Sequence, residues 1–213
     1  MPFRLSFAIV LALVLLGAAR AAPPDPGSPP DALPPVTGRF LVANEQIRGS
    51  IFYQSVVFLV SYSESGALGL IVNRPTDLGL HEVVKGAVDG AGTLYLGGPV
   101  EQTVVMVLLR AVSPPERAVH VAGNIFMTVD PEMLIELTTK LGAGGDLRVY
   151  AGYAGWSAGQ LEREIARGDW IVADVPTGSI FDEAPGDLWR KLHLRHHRLI
   201  TRAIHPVRRV RLS

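Results

Sequence analysis

With 213 residues, 48% of them hydrophobic, the chain can build one core-bearing domain that needs no covalent staples. It contains no cysteine, which excludes disulfides, thiolate zinc sites, thiol nucleophiles and the lipid-bearing cysteine of a bacterial lipoprotein. The formal charge is zero, yet residues 38–189 hold 18 acids against 10 Lys and Arg, while 190–213 hold eight basic residues and no acid. An acidic body therefore precedes a basic tail.

Met1-Pro2-Phe3-Arg4 supplies a positive start, Leu5 to Gly17 an apolar run of 13 residues broken only by Ser6, and Ala19-Arg20-Ala21 a small-x-small site. Residues 1–21 read as a secretory signal peptide, because a spanning anchor needs roughly 20 apolar residues. Cleavage near Ala21 or Ala22 predicts a mature chain outside the cytoplasm, in a bacterial periplasm. Seven prolines between Ala22 and Val36 make 22–37 an extended linker.

The folded body is expected over 38–189. It opens with a short strand at Gly38–Ala43, followed by a hairpin of two mostly buried strands, Gln54–Tyr62 and Ala67–Asn73, joined by Ser63-Glu64-Ser65-Gly66. Pro75 is expected to end the second strand. A weak helix over Leu80–Lys85 precedes strands at Thr93–Leu96 and Thr103–Leu109 and one extended segment at Val119–Val129. Asp130-Pro131-Glu132 reads as the start of a helix with Asp130 at its N-cap and Gly142 as its stop.

Asp146–Tyr150 reads as a strand that turns sharply through glycines 152, 155 and 159 into a helix over Gln160–Arg167. The last strand is expected at Asp169–Val175 and the last helix from Gly186 to about Ile204, with 190–213 forming a basic helix and tail. Clustered strands followed by alternating helices and strands predict an α+β fold with a mixed, largely antiparallel sheet.

Four blocks together resemble the YqgE/AlgH family. They are Ser55-Val56-Val57 leading into Gly66–Pro75, then Gly97-Gly98-Pro99-Val100, then Gly152-Tyr153-Ala154-Gly155-Trp156 with Gly159-Gln160-Leu161-Glu162, then Trp170. Their order and spacing extend over almost the whole body. The resemblance implies a bifurcated sheet curled into a pseudo-barrel with flanking helices, and it names no reaction. Similar proteins generally lack a secretion signal and often carry histidines near the positions of Tyr62 and Leu109, so any site built on those imidazoles is absent here.

Several residue groups invite a chemical reading. Gly155-Trp156-Ser157-Ala158-Gly159 satisfies G-x-S-x-G between strand and helix, with Asp169, Asp174 or Asp182 and then His193 following in hydrolase order. The enzyme alternative is thus a small serine hydrolase using Ser157, although a body of this size lacks the parallel sheet such an enzyme needs; the plainer role for Ser157 is to cap the turn into the helix. Trp156, Gln160 and Glu162 could wall a pocket, or Trp156 could close the core. Asn73-Arg74 and Gly97-Gly98-Pro99 are loop ends able to form an anion-binding rim or simply a tight turn.

His193, His196 and His197 make a weak metal set, and no metal or cofactor is expected. Arg195, Arg198, Arg202, Arg208, Arg209 and Arg211 give the tail a basic flank suited to anionic lipid or an acidic protein. Nucleic acid is a poorer match for an acidic body. These features describe an exported binding or scaffolding module at the envelope; a cytosolic regulator is the alternative if the N-terminus is not a true signal.

Overall fold

The computed structural model describes residues 33–84, 87–88, 90, 92–140 and 146–204. The expected signal peptide, most of the linker, Gly142, Arg208, Arg209 and Arg211 lie outside the described residues. Ten strands follow in chain order: β1 (Phe40–Ala43), β2 (Val56–Ser63), β3 (Gly66–Ile71), β4 (Pro75–Gly79), β5 (Thr93–Leu96), β6 (Val100–Arg110), β7 (Val119–Ala122), β8 (Ile125–Thr128), β9 (Leu147–Ser157) and β10 (Trp170–Ala173). The described helices are α1 (Leu80–Val83), α2 (Pro131–Lys140), α3 (Gln160–Ala166), α4 (Ser179–Asp182) and α5 (Pro185–Ile204).

The sheet branches at β9. Val149–Ala151 runs parallel to Leu94–Leu96 of β5, whereas further along the same strand Ala154–Ser157 pairs antiparallel with Gly66–Gly69 of β3. On its other edge β9 pairs antiparallel with β6. One branch continues β3-β2-β1-β10 and the other ends in β5-β4, while β6, β8 and β7 complete the opposite side. Only β5 with β9 is parallel among the described pairings, so the α+β, largely antiparallel expectation describes the molecule, whose curled sheet forms a half-barrel with flanking helices.

The branch point explains the glycines. At Gly152 the backbone takes φ +68, and a Cβ there would lie 2.7 Å from the Gly98 carbonyl oxygen. A Cβ on Gly98 would approach the Tyr153 carbonyl carbon to 2.1 Å. Two main chains therefore cross where no Cβ fits.

Four sequence expectations change. The strand expected to stop at Tyr150 runs on to Ser157 and leaves only Ala158-Gly159 as the turn, because Gly152 serves the branch and not a bend. The extended segment Val119–Val129 is a hairpin reversed at Gly123, whose φ is +57. The second hairpin strand does end ahead of Pro75, at Ile71, but Pro75 then opens β4, a strand-start position where its missing donor is tolerated. The short helix α4 was not foreseen.

Both faces of the curled sheet are buried. Phe40, Phe58, Leu70, Met106, Leu108 and Tyr150 pack on one face beneath Ile180, Phe181, Leu188 and Leu192 of α4 and α5. Leu41, Val57, Leu59, Ile71, Ala154 and Trp156 pack on the other, beneath Leu161 of α3 and Phe52. Helices α1 and α2 cover the β5-β9-β6 side through Leu80 and Leu134. Asp130 caps α2 as its sequence implies, accepting the Met133 amide at 2.7 Å.

Candidate functional site

Period-two alternation along β9 places Trp156 beside Ala154 on the α3 face and leaves Ser157 exposed on the outside. Across the strands, Ala67 stands opposite Trp156 and Ala43 opposite Trp170. Small residues thus lie alongside both indoles. At Gly69, between them, a Cβ would meet Val57 Cγ1 at 2.4 Å and Trp156 Cζ3 at 3.5 Å. Trp156 and Trp170 consequently meet edge to face, with centroids 6.0 Å apart at 81°.

Helix α3 is anchored by Leu161, which is 1% exposed. Anchoring that residue turns Gln160 and Glu164, one helical turn apart, toward the indoles. Glu164 Oε2 accepts Trp156 Nε1–H at 2.8 Å and Trp170 Nε1–H at 2.9 Å, and its Oε1 accepts Gln160 Nε2–H at 3.0 Å. Each indole has found the acceptor a buried tryptophan requires.

The third ring comes from the segment between β1 and β2. Phe52 lies 5.4 Å from Trp170 and 6.4 Å from Trp156, centroid to centroid. Gln54, just after it, sits at φ 53, a left-handed conformation costing about 1 kcal/mol for a residue with a side chain. Asn73 holds it: its Nδ2 donates to the Gln54 carbonyl at 3.0 Å, while its Oδ1 accepts the Val56 amide at 2.8 Å. Arg74 donates to the Tyr53 carbonyl in the same strap.

These parts line a half-open hollow of about 290 Å³, at the lower end of small-molecule sites. Its walls are Phe52, Trp156, Trp170 and Pro99; its polar groups are Gln46, Gln160, Glu164, Arg167 and Asp169. Arg167 donates to Asp169 Oδ2 through Nε at 3.1 Å and through Nη2. Gln46 reaches the Arg167 carbonyl at 3.2 Å and Asp169 Oδ1 at 3.3 Å. Trp156 therefore does two things: at 6% exposure it closes the core, and it lines a hollow where polar groups converge.

The other candidates have definite places. Ser157 donates both its amide, at 3.1 Å, and its hydroxyl, at 3.2 Å, to Gln160 Oε1. It does not cap α3, whose N-cap is Gly159 at φ 70. Asp182 is engaged by Arg110 at 2.9 Å, and His193 stacks on Trp189 at 4.7 Å. None of these contacts joins an acid or a histidine to Ser157. Glu162 faces away from the hollow and accepts the Tyr62 hydroxyl at 2.6 Å. Burial, followed by that hydrogen bond and by the charges of Glu162 and Glu64, raises the Tyr62 pKa.

The loop ends Asn73-Arg74 and Gly97-Gly98-Pro99 do meet, but through main chain. Leu96 N–H donates to the Arg74 carbonyl, Ile71 N–H to the Gly97 carbonyl, and Gly97 N–H to the Ala151 carbonyl. Among the described residues no cluster of three His, Asp or Glu side chains is placed to hold a metal ion. Arg195 is exposed on α5; the side chains of Arg198, Arg202 and His197 lie outside the described residues.

Sequence reasoning missed Glu164, Phe52 and the role of Trp170. One signal was available: two buried indoles need acceptors, and Glu164 stands one turn after Gln160 on the helix linking them.

Comparison with known proteins agrees with this architecture. A profile described as AlgH-like matches residues 40–198. A UPF0301 protein of Mycobacteroides abscessus is 36% identical over 182 residues, covering 80% of this chain and 85% of its own length. One of Streptomyces avermitilis is 37% identical over 174 residues, covering 76% and 87%. The solution structure of the AlgH protein from Pseudomonas aeruginosa superposes with a TM-score of 0.65 at 28% identity, over 82% of this chain and 95% of that one. A crystal structure of a Corynebacterium diphtheriae protein gives 0.64 at 28%, over 78% and 89%. With the matched region extending across the branched sheet and the Trp156–Glu164–Trp170 site, the chain belongs to the AlgH-like family, whose molecular function is uncharacterised.

Proposed function

We propose that this chain is an exported, non-catalytic binding module of the cell envelope that takes a small solute in the hollow between Phe52, Trp156, Trp170 and Glu164. The observation that carries the binding reading is the convergence of three aromatic rings and one carboxylate on a space of about 290 Å³. Beyond the acceptor that the two indoles need, Gln46, Arg167 and Asp169 line the same space, and the segment carrying Phe52 is held by a left-handed Gln54. Ser157, bonded to Gln160, offers no support for hydrolysis.

Export rests on the positive start, apolar run and small-x-small site of residues 1–21. The basic residues from Arg195 onward suit an anionic membrane surface, with Leu188 and Leu192 docking the first part of α5 on the body. Fractionation with sequencing of the mature N-terminus tests export. Flotation on anionic vesicles with and without residues 195–213 tests the tail.

A thermal-shift screen of small neutral, cationic and anionic solutes tests the site itself. A solute at 100 times its dissociation constant adds about 2.7 kcal/mol, or several degrees. Stabilisation that vanishes in Phe52→Ala supports the site, and a screen in which no solute stabilises the wild type contradicts it.

A further inference from the structure

Charge in the hollow is unevenly matched. Arg167 gives its guanidinium to Asp169, so that pair is balanced. Glu164 is bonded differently: its partners are the Trp156 indole, the Trp170 indole and the Gln160 amide, all neutral donors. They satisfy its lone pairs without cancelling its charge. Among the described residues no ion pair is formed by Glu164, although it lines the hollow.

Around that carboxylate stand the rings of Phe52, Trp156 and Trp170, whose π-faces are negative. Aromatic rings lining a hollow beside a carboxylate with no cationic partner favour a weakly hydrated organic cation over a neutral or anionic solute of equal size. The surrounding body, with 18 acids against 10 Lys and Arg over residues 38–189, draws cations toward it over a longer range. A volume of about 290 Å³ admits a group the size of a quaternary ammonium or a short alkylamine.

We infer that the hollow selects a small organic cation of the alkylammonium class, with Glu164 as its counter-ion and Phe52, Trp156 and Trp170 as its aromatic lining. This inference rests on the binding reading given above. The structure already supplies the acceptor and the rings, so binding requires no new charged group from the protein.

The test compares choline with 3,3-dimethyl-1-butanol, its neutral isostere, by titrating each into the full chain and following tryptophan fluorescence. Choline is expected to bind about ten-fold more tightly than the alcohol, and added salt to weaken choline alone. Glu164→Gln keeps an acceptor for the indoles but removes the charge; it is expected to cut choline affinity about ten-fold and leave the alcohol unchanged. Phe52→Leu removes one ring from a partly exposed position and serves should Glu164→Gln not fold, its choline affinity being expected to fall several-fold more than its affinity for the alcohol.

Equal affinity for choline and the alcohol, or no saturable choline signal, overturns the inference. In that event a neutral or anionic solute that stabilises the wild type but not Phe52→Ala would still uphold the hollow as a site. Failure of the cation class and failure of the site are therefore told apart.

Discussion

Trp156 and Trp170 donate to the same oxygen atom, Oε2 of Glu164, at 2.8 and 2.9 Å. One carboxylate on α3 thus ties the branch strand β9 to the edge strand β10 over the β3-β2-β1 sheet. Removing it leaves two buried N–H groups without an acceptor, at a cost of about 1 to 3 kcal/mol each. Glu164→Ala is therefore expected to lower unfolding free energy by about 3 kcal/mol in urea, and Glu164→Gln by clearly less because an oxygen remains. Equal losses for both would show that the indoles do not depend on this acceptor.

The branch of the sheet depends on the Gly98–Tyr153 crossing. Because an added Cβ would lie 2.1 Å from backbone, which cannot swing aside as a side-chain end can, Gly98→Ala is expected to cost more than about 3 kcal/mol. Gly186→Ala, where a Cβ meets nothing within 4 Å, is the control and should change stability by less than about 0.5 kcal/mol. Chemical denaturation of the two variants checks both.

Much of this architecture is legible in the sequence. The apolar runs Val56–Val60 and Leu68–Ile71, and the Asp130-Pro131 helix start, mark their elements because local propensity and tertiary packing agree there. They disagree in β9. Gly152, which looks like a turn signal, is required by the close approach of β6 and the Gly98 chain, a non-local demand that no window of sequence reveals. The site was misjudged for a related reason. Trp156 and Gln160 were legible, but the choice between Glu162 and Glu164 turns on helix phase. Two residues along a helix is about 200°, so Glu162 faces Tyr62 while Glu164 faces the indoles.

Alkaline pH should weaken the fold in a defined direction. Burial foremost, then the hydrogen bond and charge of Glu162 and the charge of Glu64, raise the Tyr62 pKa above its ordinary value of about 10, and burial raises that of Tyr150. A phenol whose pKa is higher folded than unfolded contributes stability that is fully present below about pH 10 and is lost as pH rises above it. The melting temperature is expected to fall beyond pH 10, and Tyr62→Phe to fall less steeply after a loss of about 1 kcal/mol at neutral pH. A Tyr62→Phe profile parallel to wild type would contradict this assignment.

Ser157→Ala removes one of two hydrogen bonds to Gln160 at an exposed position and leaves the amide bond in place. It is expected to change stability by less than about 1 kcal/mol and to leave any esterase activity of the preparation unaltered. Loss of such activity, measured with an activated ester, would restore Ser157 as a nucleophile.

The central claim is that Phe52, Trp156, Trp170 and Glu164 bound a space meant for a solute. The most direct measurement follows the indole ¹H–¹⁵N cross-peaks of Trp156 and Trp170, assigned with single Trp→Phe variants, while choline and its neutral isostere are titrated into the labelled protein. Both cross-peaks are expected to move together and saturably, more strongly with the cation, while the Trp189 peak, whose N–H donates to the Ala43 carbonyl, stays in place. Cross-peaks of Trp156 and Trp170 that remain fixed for these solutes and for every solute of the thermal screen would make the Trp–Glu–Trp tie a packing device alone.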